Sequence, residues 1–404
     1  MKQQRSYTMM IVNLCSGALL VLSALYFTVP IVTVISSEFE VSTTTAALSG
    51  TAFSLFFACG CLVYGPLSSR LGRKKVMVAG LLGLAAATLL TVKAQSFTEL
   101  LLLRCLQGAT ASTFSPVALT YAGEMFPEGR RVSVIGYIST GLLMSGIVGQ
   151  VASSALTYWL GWQSLFLVFG IAYMLLVISF ILFLPEAPKA GLASMPNNVY
   201  GTSNTSFASK SLLLCYFITF TVLLCFVGAY SALEFYLSKA PFLLDESAIL
   251  AIRAAGIAGM LLCPFAGRLC NRYGKPIILR IGLTLAVGGL LLLGIMKQPL
   301  LYALVSIVFV SGIALIVPSL IALIGELGRE RRALATSLYT FILFVGASLG
   351  PIAALQLIHS NWLGFSVYHS FACLFLISLM CSLFVREPSS STVPSSKYAK
   401  STNT

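Results

Sequence analysis

The sequence has few charged residues and few acids. Only 9% of its 404 residues are Asp, Glu, Lys or Arg, whereas 58% are hydrophobic and the mean hydropathy is +0.94. A water-soluble globule needs more polar surface than this, so the shortage of charge excludes a soluble protein. Long unbroken apolar runs such as 76–92 are not the alternating segments of a barrel. The sequence therefore predicts an all-α protein of the lipid bilayer, with helices of roughly 20 residues that cross it.

Sequence motifs of catalysis, nucleotide binding and metal binding are also missing. The two histidines, His359 and His369, have no acidic cluster beside them, and no Gly-x-x-x-x-Gly-Lys-Ser/Thr motif of an ATP-driven pump is present. The ten cysteines lie in or at the ends of apolar runs without a Cys-x-x-Cys pair, which indicates small membrane-embedded side chains. We expect no catalytic residue, no metal and no cofactor, and a polytopic membrane enzyme is only a remote alternative.

Basic residues outnumber acidic ones by 25 to 12, and they cluster in short segments between the apolar runs. They are not laid along one face with interleaved aromatics, so the net charge of +13 does not indicate a nucleic-acid partner. In a twelve-span arrangement the clusters share one side, and the opposite loops hold only Lys93, Lys239 and Lys297. The positive-inside rule then predicts a multi-pass protein of the inner or plasma membrane with both termini in the cytoplasm. We expect a monomer.

Charges, prolines and glycines divide the chain into twelve predicted spans. The first run is too long for the core of a signal peptide, and we interpret it as a retained span. The spans lie near 9–35, 46–67, 76–93, 99–122, 132–158, 164–184, 211–237, 247–267, 276–296, 299–324, 333–357 and 365–385. The predicted domains are an N-terminal six-helix half at 1–184, a cytoplasmic linker at 185–210, a C-terminal six-helix half at 211–385 and a disordered cytoplasmic tail at 386–404.

A glycine-bracketed basic turn occurs twice in the chain. The segment GPLSSRLGRKK at 65–75 is followed 202 positions later by GRLCNRYGK at 267–275. The same offset aligns Glu124 with Glu326, and the register continues without a gap as far as Tyr137. The chain is therefore predicted to be two copies of a six-span unit in parallel orientation. Such halves place a substrate site near the midplane between them.

The repeated turns predict a gate. Glycine permits a tight reversal at the membrane face, and cations can exchange partners as two halves rock. The alternative is that the bases only fix topology. The predicted gate residues are Gly65, Arg70, Gly72, Arg73, Lys74, Glu124 and Arg130 in the first half and Gly267, Arg272, Gly274, Lys275, Glu326 and Arg332 in the second.

Three motifs resemble the major facilitator superfamily, and within it the twelve-span drug:proton antiporter group. The turn at 65–75 is similar to the family's signature loop between spans 2 and 3. The run LRCLQG at 103–108 is similar to its span-4 motif, which carries a membrane arginine. In span 5 the pattern resembles a degenerate antiporter motif, with a Ser-Gly pair where Gly-Pro is usual; its residues are Gly141, Ser145, Gly146 and Gly149. The resemblance implies this family's fold and a gating role for the turn.

One departure concerns that gate. The family's turn normally carries an aspartate where this chain has Ser69, and the second copy has Asn271 there. In the family this acid is thought to pair with basic and helix-end groups across the two halves. Without it, we expect the lock to depend on hydrogen bonds and on the two gate glutamates facing the gate cations.

Ionisable residues inside spans are few, so each is a functional hypothesis. At 1.5 Å per residue, Arg104 lies about 8 Å into span 4 and Arg253 about 9 Å into span 8. Glu234 is in the last turn of span 7 at the same leaflet, where it could pair with Arg253. The alternative is that it snorkels to the interface. We predict Glu234 as the proton site.

Polar and aromatic residues on spans that usually line the cavity of this fold are candidates for the substrate site. Aromatics in such spans often face lipid or the core instead, and the span-5 glycines are expected to serve helix packing. The candidates are Asn13, Tyr26, Gln107, Ser115, Phe217, Tyr230 and Ser311.

The resemblance and the residues together predict a secondary transporter and not an enzyme. We expect it to export small, mostly apolar compounds by alternating access, in a multidrug efflux-like manner, with H+ as the coupling ion. A sugar or metabolite exporter of the same fold is the alternative.

Overall fold

A computed structural model describes residues 2–187, 210–239, 242–360 and 366–385. Every regular element in these ranges is a helix, as expected for a chain of long apolar runs. The predicted linker falls largely, and the predicted tail entirely, outside the described residues, so the division into domains stays a prediction.

The first half contains eight helices. They are α1 (Lys2–Tyr26), α2 (Val32–Glu38), α3 (Thr43–Leu71), α4 (Arg73–Thr91), α5 (Phe97–Ala111), α6 (Ser115–Met125), α7 (Glu128–Leu160) and α8 (Trp162–Phe183). The second half contains α9 (Lys210–Ser238), α10 (Glu246–Met260), α11 (Cys263–Tyr273), α12 (Lys275–Leu293), α13 (Pro299–Leu327), α14 (Arg332–Ser360) and α15 (Val367–Leu383), with one 3-10 turn at Arg329–Arg331.

Ten helical segments in the described residues are long and apolar enough to cross a membrane. One of them joins α10 and α11 as a single segment, Ala248–Tyr273. The α5–α6 pair and α15 complete a count that is consistent with twelve spans. The predicted all-α, multi-span fold is confirmed.

Three predicted spans differ from the observed helices. The first was expected at 9–35, but α1 ends at Tyr26 and α2 begins only after Pro30, which has no backbone N–H to continue a helix. Spans 4 and 8 were expected to be continuous, yet each is interrupted, between α5 and α6 and between α10 and α11. In both cases a proline, Pro116 or Pro264, occupies the first turn of the second helix, the position that proline tolerates best.

The two halves repeat the same helix packing. In the first half α1 packs on α7, α3 on α5 and α4 on α8; in the second, α9 packs on α14, α10 on α13 and α12 on α15. The turns repeat as well, because Gly72 and Gly274 both have positive φ, +100° and +88°. L side chains rarely adopt that conformation, which explains why glycine stands at this position in both copies.

Four connections lie together at one end of the bundle, which we call the basic end. It is defined by the turns 65–75 and 267–275. An ion pair joins the first turn to the loop near 126, and a second ion pair joins the other turn to the loop near 328. The start of α1 lies here too, because the rings of Tyr7 and Phe126 are 5.3 Å apart. The end of α15 also lies at the basic end, because Arg280 of α12 donates to the carbonyl of Ser382 at 3.1 Å. Assignment of this end to the cytoplasm stays a prediction.

Candidate gate and binding site between the halves

The first basic turn is held within its own half. Arg73 donates to both carboxylate oxygens of Glu124, at 2.8 and 3.1 Å. It also donates to the carbonyl of Gly65 at 3.2 Å and to the hydroxyl of Ser69 at 3.2 Å. The Arg73 side chain is only 8% exposed. These acceptors use most of the five N–H donors that a guanidinium carries, and this holds the cation in place.

The second turn has the corresponding ion pair. Lys275 lies 3.0 Å from Glu326, and the two side chains are 20% and 39% exposed. Both ion pairs join residues of the same half. They shape the ends of the two halves, and other contacts hold the halves together in this conformation.

Hydrogen bonds cross between the halves at the basic end. Arg332 of α14 donates to the carbonyl of Gly123 at 3.0 Å, near the C-terminus of α6, where the helix dipole favours a cation. The hydroxyls of Thr120 and Thr336 are 2.8 Å apart. Asn271 donates to the carbonyl of Gly129 at 2.6 Å, so the second turn reaches across through its amide.

Backbones also approach closely across the two halves. Gly65 of α3 lies against Ser337 of α14, and Gly267 of α11 lies against Ser133 of α7. A Cβ at Gly267 would be 2.6 Å from the Cα of Ser133, closer than real side chains permit. Small residues allow such helix contacts inside membranes. These two repeat-related glycines are therefore part of the interface.

The remaining predicted gate cations do not meet at this interface. Arg70, Arg130 and Arg272 are exposed. Lys74 donates to the carbonyl of Ile181 at 2.8 Å and so caps the end of α8 within the first half. We interpret these four as contributors to charge and topology at the basic end.

Aromatic contact closes the halves as far as the middle of the spans. Phe57, the middle residue of α3, meets Phe344 of α14 with ring centroids 4.7 Å apart. Gly136 of α7 lies against the backbone of Cys263 at the break between α10 and α11. The contacts between the halves thus extend from the basic end to about mid-span.

Beyond mid-span, the structure brings three predicted residues together. The Arg253 guanidinium lies over the Tyr230 ring, 5.7 Å from its centroid. Arg253 is also near enough to Tyr26, in the first half, to interact with it electrostatically. Arg253 and Tyr26 are both partly exposed. This group, the Tyr-Arg-Tyr cluster, consists of Tyr26, Arg253 and Tyr230 and includes residues of both halves.

Each tyrosine of the cluster is seated against a glycine. The Tyr26 ring lies 3.5 Å from where a Cβ of Gly146 would be, so this residue of the span-5 motif is next to the cluster. The Tyr230 hydroxyl occupies the space that a side chain at Gly256 would fill. Both rings are thereby held against helix backbones.

Arg104 forms a separate network inside the first half. It donates to the carbonyl of Ala24 at 2.8 Å, to that of Ser49 at 3.3 Å and to the side-chain oxygen of Gln107 at 2.7 Å. Its guanidinium also lies 4.5 Å from the centroid of the Phe53 ring. The fully buried cation thereby ties spans 1, 2 and 4 together.

Two other cavity candidates form hydrogen bonds within the first half. Gln107 donates to Thr91 at 2.8 Å, and Asn13 accepts from Ser179 at 2.6 Å. Their side chains face helices of the first half, and we therefore do not retain them as cavity residues.

Three further candidates lie apart from the cluster. Ser311 donates to its own helix, at Ile307. Phe217 is 38% exposed, and Ser115 is buried. The side chain of Glu234 lies outside the described residues.

The span-5 glycines pack against span 1. A Cβ at Gly141 would be 2.5 Å from the carbonyl oxygen of Cys15, and one at Gly149 would be 2.8 Å from that of Ser23. Ser145 joins this contact, because its carbonyl accepts from the Ser23 hydroxyl at 3.4 Å. The motif therefore provides close contact between α1 and α7.

Sequence reasoning missed most of the cross-half contacts. Thr120, Thr336, Ser133 and Ser337 carry no motif, since small hydroxyl residues are common in membrane helices. Gly123 had a signal, because the repeat offset aligns it with Gly325 and both glycines lie against Arg332.

These observations define a class of protein. Two repeated six-span halves that close against each other at one end form the architecture of a secondary membrane transporter. The chain belongs to the Major Facilitator Superfamily, whose family model matches residues 14–351 and 245–402.

Several transporters are similar to this chain. An uncharacterized transporter of Buchnera aphidicola subsp. Schizaphis graminum is 28% identical over 384 residues, covering 95% of this chain and 93% of its own length. The inner membrane transport protein YnfM of Escherichia coli (strain K12) is 26% identical over 268 residues, 66% of this chain and 64% of its own. The multidrug resistance protein MdtM of Escherichia coli O157:H7 is 28% identical over 148 residues, 36% of each chain. The chain is thus a multi-pass membrane transporter of small molecules.

Proposed function

We propose that this transporter exports small, mostly apolar compounds from the cytoplasm by alternating access, in exchange for protons. The observation that carries the proposal is the one-sided closure of the halves from the basic end to the Phe57–Phe344 contact. If the basic end is cytoplasmic, this conformation is closed to the cytoplasm. The similarity to a relative named as a multidrug resistance protein supports export of drug-like compounds.

The chemistry of the closed end suits a gate that opens and closes. The crossing contacts include neutral hydrogen bonds such as Thr120 to Thr336, each contributing about 0.5–1.5 kcal/mol net. A few contacts of this size can be balanced by a few contacts at the opposite end. The ion pairs of Arg73 and Lys275 stay inside their halves, so rocking need not break them. The halves can then move as rigid bodies.

Proton coupling rests on Glu234 in this proposal. It is an acid near the end of α9, on the helix that also carries Tyr230. Protonation of its carboxylate would remove one negative charge from this end of α9, which is how a proton could bias the two conformations.

Transport into inside-out proteoliposomes tests the proposal. Uptake of a panel of fluorescent apolar compounds and of sugars would be compared with and without an inwardly acidic pH gradient. We expect gradient-dependent uptake of apolar compounds only. Uptake that does not depend on the pH gradient would refute proton antiport. Uptake of sugars alone would favour the sugar or metabolite exporter.

A further inference from the structure

We propose that the basic end carries a binding site for the headgroup of an anionic phospholipid, formed by Arg280 of α12 and Lys210 of α9 at the C-terminus of α15. The occupant is a lipid whose headgroup carries one negatively charged phosphate, such as phosphatidylglycerol. This interaction is separate from transport and does not depend on which compound is exported.

Arg280 lies on the exposed side of α12, which faces lipid in a membrane protein. Ile277, Ile281 and Thr284 are exposed and follow the i, i+4 and i+7 spacing of one helix face. Arg280 lies beside this stripe, about 8 Å along α12 from its first residue, and is partly exposed. An arginine at that depth is costly in hydrocarbon unless its guanidinium reaches polar groups. The repeat offset aligns it with Val78, so the repeated fold does not require a cation here.

The guanidinium of Arg280 uses only part of its hydrogen-bonding capacity. It donates to the carbonyl of Ser382 through Nε at 3.4 Å and Nη2 at 3.1 Å, and to that of Leu383 through Nη2 at 3.4 Å. These carbonyls end α15, where the helix dipole favours a cation. Both acceptors are neutral, and Nη1 donates to no residue that the structure describes. Its two N–H groups can therefore bind a ligand oxygen.

Lys210 supplies a second cation at the same place. It is the first residue of α9, which packs against α15. Its ammonium lies 5.8 Å from the centroid of the Phe384 ring, the residue that follows the Leu383 carbonyl. Lys210, Leu383 and Phe384 are all exposed. Two cations thus lie against the end of α15 beside an apolar surface, and neither forms an ion pair within the described part of the chain.

This combination of charge and apolar surface fits a phospholipid better than a soluble anion. Phosphate oxygens accept charge-assisted hydrogen bonds from guanidinium and ammonium groups. Basic pockets between membrane helices bind anionic lipid headgroups in this way. The acyl chains of such a lipid can lie along Ile281 and Leu383, whereas a free phosphate ion would have to leave water to reach a lipid-facing surface.

Native mass spectrometry of the detergent-solubilised full chain tests the site. Binding of dioleoyl-phosphatidylglycerol and dioleoyl-phosphatidylcholine, which share their acyl chains, is compared for the wild type, Arg280→Gln, Lys210→Gln and the double variant. Arg280→Gln removes the charge but keeps an amide donor for the carbonyl of Ser382. Lys75→Gln is the matched control, because Lys75 is an exposed cation of the other half at the same end. Thermal unfolding of each variant establishes that it is folded.

We expect the wild type and Lys75→Gln to bind phosphatidylglycerol about 25-fold more tightly than phosphatidylcholine. Arg280→Gln and Lys210→Gln should each reduce this preference about fivefold, the contribution of one basic residue near an anionic lipid surface, and the double variant should bind both lipids about equally. Equal binding of both lipids by the wild type, an undiminished preference in the double variant, or an equal loss in Lys75→Gln would overturn the inference. Displacement of phosphatidylglycerol by excess glycerophosphoglycerol, the headgroup without acyl chains, would also refute it, because the site would then be one for a soluble anion.

Photolabelling of the wild type locates the site without any variant. A phosphatidylglycerol with a diazirine in the acyl chain should label the segments around Arg280 and Leu383 more than the segment around Val78, and the phosphatidylcholine analogue should show no such preference. Labelling confined to other segments, or the same pattern with both lipids, would refute the proposal.

Discussion

The contact between Gly267 and Ser133 makes a sharp prediction about the gate. A methyl group at Gly267 would meet the backbone of Ser133, with 2.6 Å to its Cα, and helix α7 cannot yield there without moving as a whole. Overpacking of this kind costs about 1–3 kcal/mol. The cost applies only when the halves are closed at the basic end, so Gly267→Ala should shift the equilibrium toward the open conformation by about 5- to 150-fold.

The repeat supplies an internal comparison. A Cβ at Gly65 would meet the hydroxyl of Ser337, which can rotate away. Its remaining contacts, 3.0 Å to the Cβ of Ser337 and 3.1 Å to the carbonyl oxygen of Ala333, are looser than the approach to the backbone nitrogen of Ser133 at Gly267. We therefore expect a smaller shift for Gly65→Ala than for Gly267→Ala. Gly288→Ala is the control, because a Cβ there meets nothing within 4 Å and the gain in helix propensity is the same.

Hydrogen–deuterium exchange in nanodiscs measures the shift. Opening at the basic end exposes the segments of α7 and α11 around Ser133 and Gly267, and their exchange should rise by the same factor as the open population. Exchange in α4 and α12, away from the interface, should not change. If Gly267→Ala exchanges like Gly288→Ala, the close approach does not stabilise the closed conformation and the reasoning is refuted.

Three further predictions concern charged residues. Arg104→Lys should lower the thermal unfolding temperature by several degrees, because a single ammonium lacks the planar fork that donates to the carbonyls of Ala24 and Ser49, and a buried carbonyl without a donor costs about 1–3 kcal/mol; unchanged melting would contradict the network. Glu124→Gln should destabilise the protein more than Glu326→Gln, since the first breaks a two-bonded pair with the buried Arg73 and the second a more exposed pair, worth about 1 kcal/mol or less; equal melting curves would argue against this ranking. Glu234→Gln should abolish proton-driven transport but keep substrate exchange without a gradient, and transport that still follows the proton gradient would rule out Glu234.

The sequence by itself determined the class of fold. Membrane helices need long apolar runs, so the spans could be recognised, and the fixed offset between 65–75 and 267–275 identified the two halves. Glycine at Gly72 and Gly274 could be predicted as a turn because the requirement is local, and both positions have positive φ. Span boundaries were less certain where a proline allowed two helices in place of one.

Only the tertiary structure decided which side chains meet. The sequence placed Ser69 and Asn271 at equivalent positions, yet Ser69 accepts from Arg73 in its own half and Asn271 donates across the halves. Helices that are apolar all round carry little periodic signal, so their rotation about their own axes is set by packing with neighbours. That rotation turned Gln107 toward Arg104 and placed Arg253 over the Tyr230 ring. The repeat can be recognised in the sequence, whereas the different hydrogen-bond partners of its two copies are set by the packing of the helices.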